Sequence, residues 1–174
     1  MARSSKTQIY EDEIKIIAEL KKNARESIDE IAKRCGFSRQ KVWRIINRLE
    51  ENKTIWGYSA ICDDEKLNQK SYMMLIKKTN EPIEKLTDQI ISREIEEKIH
   101  DIGITIESSN YLNGTYDWVI CFTAKDIIHA KKFNEVFNKL FMKHVAETIL
   151  MERIFSVKKS EIQNPNIKRI KEFV

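Results

Sequence analysis

The stretch "CGFSRQKVWRIINRLEENK", residues 35–53, contains the end of one predicted helix and the whole of the next. Gly36 stands where a helix ends in a residue that tolerates positive φ. Two residues later, Ser38 is a preferred N-cap residue. A helix, a short turn containing glycine and a second helix are the arrangement of a helix-turn-helix. The stretch therefore predicts that fold, with its second helix starting after Ser38.

A helical wheel of residues 38–53 separates an apolar face from a polar one. The apolar side chains that fall in one narrow sector, and should be buried, are Val42, Ile45, Ile46 and Leu49. The side chains on the outer face are Gln40, Arg44 and Asn47, flanked by Arg39, Lys41, Trp43 and Arg48. Arg and Lys neutralise DNA phosphates, and Gln, Asn and Arg bond to adenine and guanine edges.

A solvated basic face is the alternative interpretation of this helix. The nearby acids, Glu50 and Glu51, lie at its far end, and the i,i+4 series of Gln40, Arg44 and Arg48 holds no acid–base pair. Both facts favour contact with DNA. Two interpretations of Trp43 stay open, namely packing at the rim of the core and contact with the backbone or the groove of DNA.

Two helices and a β segment surround this stretch. "YEDEIKIIAELKKN", residues 10–23, predicts a first helix whose inward stripe is Ile14, Ile17, Ala18 and Leu20. "SIDEIAKRC", residues 27–35, opens with a capping box of Ser27 and Glu30, and its inward side chains are Ile28, Ile31 and Ala32. "TIWGYSAICD", residues 54–63, predicts a short strand or a two-stranded wing.

The net charge of +4 is confined to the first third of the 174 residues. Residues 1–62 hold 13 Lys+Arg and 9 Asp+Glu, whereas residues 63–174 hold 18 of each. This asymmetry predicts a basic module over 1–62 that meets a polyanion such as DNA, joined to a neutral domain over 71–159. The short polar segment "DDEKLNQ" predicts a hinge over 63–70. The sequence shows neither a membrane-length apolar run nor a secretory signal, so we expect a cytoplasmic protein. Cys35, Cys62 and Cys121 are widely spaced, which predicts reduced, mostly buried thiols and no metal site or cofactor.

The second part of the chain predicts strands and helices in the order βαββαβ. The predicted strands are residues 71–78, 105–112, 118–124 and 147–157, and the predicted helices are residues 81–101 and 127–144. The apolar face of the first helix is Ile83, Leu86, Ile90 and Ile95, and that of the second is Phe133, Val136, Phe137, Leu140 and Phe141. This order predicts an α+β, ferredoxin-like sandwich. Apolar residues on both faces of the strands predict that a second copy of the chain covers the open face. Residues 160–174 form a C-terminal tail, either docked or frayed.

Residues 23–63, "NARESIDEIAKRCGFSRQKVWRIINRLEENKTIWGYSAICD", resemble the DNA-binding half of the leucine-responsive/asparagine-type (Lrp/AsnC, feast/famine) transcription regulators. "NGTYDWVI", residues 113–120, is similar to the family's "G-x-YD" hairpin, and "VAETILMERIFSVKK", residues 145–159, to its last strand. The resemblance implies a winged helix-turn-helix followed by a dimerisation and effector-sensing domain. It also implies a regulator that binds a pseudo-palindromic operator in double-stranded DNA as a homodimer or octamer, with a small-molecule effector such as an amino acid.

The resemblance assigns roles to particular residues. The residues that would read bases are Gln40, Arg44 and Asn47. The residues that would contact phosphates are Ser27, Ser38, Arg39, Lys41, Trp43 and Arg48. The residues that would contact an effector are Asn113, Gly114, Thr115 and Asp117, although Asn-Gly also suits a type I′ turn that Asp117 could cap.

The sequence departs from the family at three places. Ile45 stands where many members have Arg, and Lys53 stands where most have Gly, so that Asn52 could take the left-handed conformation instead. The helix from residue 82 to about 100 is longer than usual.

Two other functions are compatible with this organisation. The same architecture resembles the sirohaem decarboxylases, which need a pocket rich in His and Arg. His100, His129 and His144 lie far apart in the sequence and predict lone surface histidines, so we expect no enzyme. The other function is a sensing and dimerisation module whose helix-turn-helix binds protein.

Overall fold

The computed structural model describes residues 5–82 and 84–174, apart from the side chains of residues 84–86, 89 and 94. The predicted inward positions Ile83 and Leu86 therefore lie outside the described part. The chain forms two compact units. The first consists of the residues up to Ile61 together with Val157–Lys168, and the second of Cys62–Ser156 together with Arg169–Val174.

The first unit is built on three helices: α1 (Lys6–Lys22), α2 (Ile28–Cys35) and α3 (Arg39–Glu51). A serine caps each of them, and each hydroxyl oxygen accepts a hydrogen bond from a backbone N–H of the first turn. The buried core of the unit is Ile16, Ile31, Ala32, Val42, Ile45 and Leu49, with Ile28 and Ile46 packed against it. The predicted inward faces of α2 and α3 are confirmed.

The predicted inward stripe of α1 is wrong in two positions. Ile14 is 45% exposed and Ala18 is exposed, whereas Ile16 is fully buried. Ile17 and Leu20 do pack against the core. The inward face is centred on the i,i+4 row of Asp12, Ile16 and Leu20. Because this row contains a charged residue, the sequence does not identify it as the apolar face.

The chain after α3 leaves the helix through Lys53. Lys53 adopts φ 62°, whereas Asn52 has φ −83°, so the alternative that Asn52 takes the left-handed conformation is wrong. Residues 56–63 form neither helix nor strand, contrary to the predicted β segment. Ile55 is anchored by its N–H, which donates to the Leu49 carbonyl at 2.9 Å, but Trp56 beyond it is 95% exposed. β-forming residues alone do not make a strand, because a strand needs a partner for its backbone groups.

The second unit begins with a 3-10 helix, Glu65–Leu67, and then alternates strands and helices. Its elements are β1 (Lys70–Lys78), α4 (Glu84–Ile91), α5 (Glu94–His100), β2 (Thr105–Tyr111), β3 (Trp118–Ala124), α6 (Ile127–Leu140) and β4 (Val145–Arg153). The strands pair antiparallel in the order β2-β3-β1-β4. This is the ferredoxin-like topology, and the prediction of the fold class is confirmed.

The core of this unit lies between the sheet and its helices. Phe133 and Phe137 of α6 and Phe141 directly after it are fully buried, and Val136 and Leu140 pack beside them, as predicted. Alternate residues of the strands face this core, including Tyr72, Met74, Ile76, Trp118, Ile120 and Phe122. The opposite row of β1 and β3, namely Met73, Leu75, Val119 and Cys121, is half-buried in a single chain.

Two predicted connections differ from the structure. The single helix from residue 82 to about 100 is divided between α4 and α5, because Arg93 adopts φ 59°. The β2–β3 hairpin is present, but its loop extends from Leu112 to Asp117 and Gly114 does not have positive φ, so the type I′ turn is wrong.

The C-terminal residues are docked on the folded units. The strands β5 (Lys158–Lys159) and β6 (Ile162–Gln163) pair with each other, and Glu161 between them forms an ion pair with Lys21 of α1. In the second unit, the ring of Phe173 lies 5.3 Å from that of Phe155. Cys35 and Cys121 are half-buried free thiols, but Cys62 is exposed, which departs from the expected burial. Among the described helices, none combines the length and the apolar character needed to cross a membrane.

Candidate nucleic-acid interface

The turn between α2 and α3 fixes the orientation of the second helix. Gly36 adopts φ 69° and ψ 34°, the left-handed conformation that ends α2. The N–H of Phe37 then donates to the Ala32 carbonyl at 2.9 Å, which closes the turn. Ser38 starts α3 by accepting from the Lys41 N–H at 3.3 Å. These local bonds determine which side chains of α3 point outward.

The outward face of α3 presents the three side chains predicted to read bases. Gln40 and Arg44 are exposed and Asn47 is half-exposed. Arg44 Nε donates to the Gln40 carbonyl at 3.4 Å, and within the described part of the chain no carboxylate lies at ion-pair distance from Arg44. Their amide and guanidinium groups can make the bidentate contacts that distinguish bases in the major groove.

Two cations that flank this face form ion pairs, one exposed and one partly buried. Arg39 lies 3.2 Å from Asp29, with side chains 70% and 63% exposed. Arg48 lies 2.8 Å from Glu13, with side chains 44% and 19% exposed. An exposed pair such as Arg39–Asp29 contributes about 0–1 kcal/mol, so a phosphate can replace its carboxylate at small cost. The predicted phosphate contact of Arg39 therefore competes only with an exposed pair, whereas that of Arg48 requires the Glu13 pair to open.

Lys41 has a different environment from the other cations. Its Nζ lies 2.6 Å from Oδ2 of Asp12, whose side chain is only 5% exposed, and 3.9 Å from the centre of the Phe37 ring. Gln8 Nε2 donates to the other oxygen of Asp12 at 3.2 Å. The hydrogen bond from Lys41 holds the pKa of Asp12 below its ordinary value, against the opposing effect of burial. Lys41 therefore joins the first turn of α3 to α1.

Trp43 does not pack in the core. Its side chain is 54% exposed and lies outside the buried cluster of the first unit, so the interpretation as a rim core residue is wrong. Ser27 and Ser38 are exposed at the N-termini of α2 and α3, where backbone N–H groups favour an anion. These positions leave contact with a DNA backbone open to all three residues.

The residues expected to bind an effector form the loop between β2 and β3. Asn113, Gly114 and Thr115 are exposed. Asp117 is engaged by the protein, because its Oδ2 accepts from the Lys78 N–H at 2.8 Å and its carbonyl accepts from the Leu112 N–H at 2.8 Å. These bonds give Asp117 a structural role in closing the loop, whether or not a ligand binds there.

Sequence reasoning missed Asp12 and Tyr58. Asp12 is the carboxylate that holds Lys41, and the available signal was a single acid in the i,i+4 row of Ile16 and Leu20. Tyr58 donates its hydroxyl to Glu50 at 2.8 Å, and burial together with this carboxylate raises the pKa of Tyr58 to about 12. The chain that follows α3 is thereby attached to the end of the helix.

The structure does not bring the three histidines into one pocket. His100 ends α5, His129 lies 2.7 Å from Asp126 in the first turn of α6, and His144 precedes β4. Over residues 5–82 and 84–174, no group of three His, Cys, Asp or Glu side chains could hold a metal ion.

Comparisons with known proteins agree with this geometry. Residues 13–55 match the family model of winged helix-turn-helix DNA-binding domains. The chain shares its two-domain fold with the AsnC family of transcriptional regulators. The regulator of this family from Agrobacterium tumefaciens superimposes with a TM-score of 0.62 at 20% identity, over 85% of this chain and 92% of the other.

Two further solved structures have the same fold. PH0061 superimposes with a TM-score of 0.67 at 21% identity, over 91% of this chain and 98% of the other. The transcriptional regulator NMB0573 of Neisseria meningitidis, solved with L-Met, gives 0.62 at 18% identity over 90% and 94% of the two chains. A comparison with curated protein sequences gives no match. The AsnC-type fold therefore extends over both units.

Proposed function

We propose that this chain is a sequence-specific, DNA-binding transcriptional regulator of the cytoplasm rather than an enzyme. The observation that carries the proposal is the outward face of α3, where Gln40, Arg44 and Asn47 lie opposite buried apolar residues inside a matched helix-turn-helix. Base-reading side chains on a helix fixed in this way are what major-groove recognition requires.

We assign base contacts to Gln40, Arg44 and Asn47. We assign phosphate contacts to Ser27, Ser38, Arg39, Trp43 and Arg48, which are all at least partly exposed. Lys41 receives a different role from the one the resemblance implied. Its ammonium group is engaged by a buried carboxylate, so we assign it to the positioning of α3.

We propose that the regulator works as a homodimer. The half-buried apolar row of Met73, Leu75, Val119 and Cys121 lies on the face of the sheet opposite the helices and suits a second copy of the chain. Two copies would place two recognition helices on half-sites about 34–36 Å apart, which implies a pseudo-palindromic operator. A small effector such as an amino acid would act at the loop of Asn113, Gly114, Thr115 and Asp117, and the L-Met complex of NMB0573 supports this class of ligand.

Fluorescence anisotropy tests the proposal by measuring the affinity for duplexes taken from the DNA upstream of the gene that encodes this chain, and for a scrambled duplex. Specific regulators bind their sites about 10³–10⁷ times more tightly than other DNA. Arg44→Ala should reduce this ratio by about tenfold to a hundredfold, because one bidentate base contact is lost. Arg39→Ala should weaken both duplexes equally and reduce the salt slope by about 0.9.

Lys139→Ala is the matched control, since it removes an exposed cation from α6 in the second unit. It should leave affinity, preference and salt slope unchanged. If neither these duplexes nor sequences selected from a random pool are bound at low salt, the chain is not a DNA-binding regulator. If DNA is bound but Arg44→Ala keeps the full preference, α3 is not the reading helix.

A further inference from the structure

A cleft of about 590 Å³ opens in the second unit at one end of its sheet. Its lining includes Leu67, Asp101, Ile102, Lys125, Ile128 and Lys132, with His129 beside them. They belong to the segments that enter β1 and β2, to the connection that leaves β3 and to the first turns of α6. The volume is within the range of small-molecule sites, about 300–1,000 Å³.

The strand register separates this cleft from the β2–β3 loop. Lys70 pairs with Ala124 and Thr105 pairs with Thr123, so the starts of β1 and β2 and the end of β3 meet at one end of the sheet. Tyr111 pairs with Trp118 at the other end, where the loop of residues 112–117 lies. Strands of this length place the two ends roughly 20 Å apart. The cleft is therefore a different site from the one proposed for an effector above.

The cationic groups of the cleft are available to a ligand. Lys125 and Lys132 are exposed, and across the described side chains neither has a carboxylate within ion-pair distance. His129 is engaged by Asp126 at 2.7 Å, and Asp126 also caps α6 by accepting from the N–H groups of Ile128 and His129. The lysines, and not the helix N-terminus, therefore supply the attraction for an anion.

The apolar groups of the cleft are exposed to an unusual degree. Ile128 is 72% exposed and Leu67 is 58% exposed, and both line the cleft together with Ile102. Single exposed apolar side chains are common on protein surfaces, but here two border one concave site that also holds two free ammonium groups. An apolar ligand group would remove these side chains from water.

We propose that this cleft binds a small amphipathic carboxylate, with its anionic group on Lys125 and Lys132 and its hydrocarbon group on Leu67, Ile102 and Ile128. Asp101 also lines the cleft and its carboxylate disfavours polyanions, so we expect a compact monoanion. The proposal does not depend on DNA binding, so the site can be tested without knowledge of the operator.

The test uses 3-phenylpropionate as the probe and 3-phenylpropionamide as its uncharged analogue, with calorimetry on the full chain. A ligand of about 11 heavy atoms with ordinary ligand efficiency should bind with a Kd of the order of 1 mM. The amide should bind at least about tenfold more weakly, because it makes no charge-assisted hydrogen bonds with the lysines. No saturable binding up to about 20 mM, or equal binding of acid and amide, would overturn the proposal.

Variants locate the binding in the cleft. The double variant Lys125→Gln/Lys132→Gln should lose about tenfold in affinity for the acid and little for the amide. Ile128→Ser should weaken both compounds. Lys131→Gln, an exposed neighbour on α6 that does not line the cleft, is the charge control and should bind like the wild type. If the double variant and this control bind the acid equally well, the cleft is not the site.

Discussion

The substitution Lys41→Met tests whether Lys41 positions α3 or contacts DNA. It leaves the Asp12 carboxylate, 5% exposed, with only the hydrogen bond from Gln8. Removal of one partner from a fully buried pair costs about 3–5 kcal/mol, whereas an exposed pair contributes about 0–1 kcal/mol. The Lys41 side chain is 36% exposed, so we expect an intermediate loss of about 2 kcal/mol.

Hydrogen exchange of α1 and α3 measures this loss within the first unit. A loss of about 2 kcal/mol accelerates exchange through unfolding of the unit by about thirtyfold. Asp12→Asn should cost less, about 1 kcal/mol, because Lys41 can still reach water. The double variant should resemble Asp12→Asn, because the buried charge has gone, and the resulting coupling energy should be about 2 kcal/mol.

The pH dependence gives an independent check of the same ion pair. Lys41 lowers the pKa of Asp12 in the folded state, so the contribution of the pair is complete above the unfolded-state value of about 3.9. It is lost as the pH falls through the lower folded-state pKa. The stability difference between the wild type and Asp12→Asn should therefore be constant between pH 7 and about 5 and should shrink below about pH 4.

Two results would refute this reasoning. A loss below about 0.5 kcal/mol for Lys41→Met, without any pH dependence, would show that the pair is an ordinary surface contact. An unchanged exchange rate combined with a salt slope reduced by about 0.9 would show that Lys41 contacts a phosphate instead.

Three further substitutions test the turn, the second core and the dimer. Gly36→Ala should lower the free energy of unfolding, measured by urea titration, by about 1 kcal/mol because φ is 69° there. Gly57→Ala is the control, because Gly57 is not among the glycines with positive φ and has open space around it, and it should not change the stability. Equal losses in the two variants would contradict this explanation. Phe137→Ala should lower the free energy of unfolding of the second unit by about 3–5 kcal/mol and lower its Tm, since the ring is fully buried and its centre lies 5.2 Å from that of Trp118. A Tm within roughly 2 °C of wild type would mean that neighbouring side chains fill the cavity. Leu75→Glu should convert a dimer into a monomer in light scattering, and Lys131→Glu should not; an unchanged mass would place the dimer contact elsewhere.

The parts of the fold that were predicted correctly depend on local signals. Ser27, Gly36 and Ser38 each have one preferred place at a helix end, so three residues determine the helix-turn-helix. The period of the phenylalanines in α6 and the alternation in β1 and β3 likewise identify core faces without knowledge of their partners. The predicted outward face of α3 follows from its buried face for the same reason.

The errors occur where a distant residue decides the local structure. Ile14 and Ile16 are equally apolar, and packing against α2 and α3 buries Ile16 but leaves Ile14 45% exposed. Arg93 breaks a helix without glycine or proline to mark the position. Residues 56–63 have the composition of a strand but no strand beside them. The cleft was not predicted either, because its lysines and apolar side chains come from three separated segments.

The return of Val157–Lys168 to the first unit has a consequence for biosynthesis. The helices of this unit are translated first, but the unit gains its last segment only after Cys62–Ser156 have been made. At roughly 5–20 residues per second, the ribosome needs about 5–20 s for that interval. The ion pair between Lys21 and Glu161 can form only after that interval, whereas the three helices can already pack around Ile16. A nascent chain stalled before residue 157 would therefore carry an incomplete first unit, and a protease pulse on such chains would cleave it faster than on the released protein.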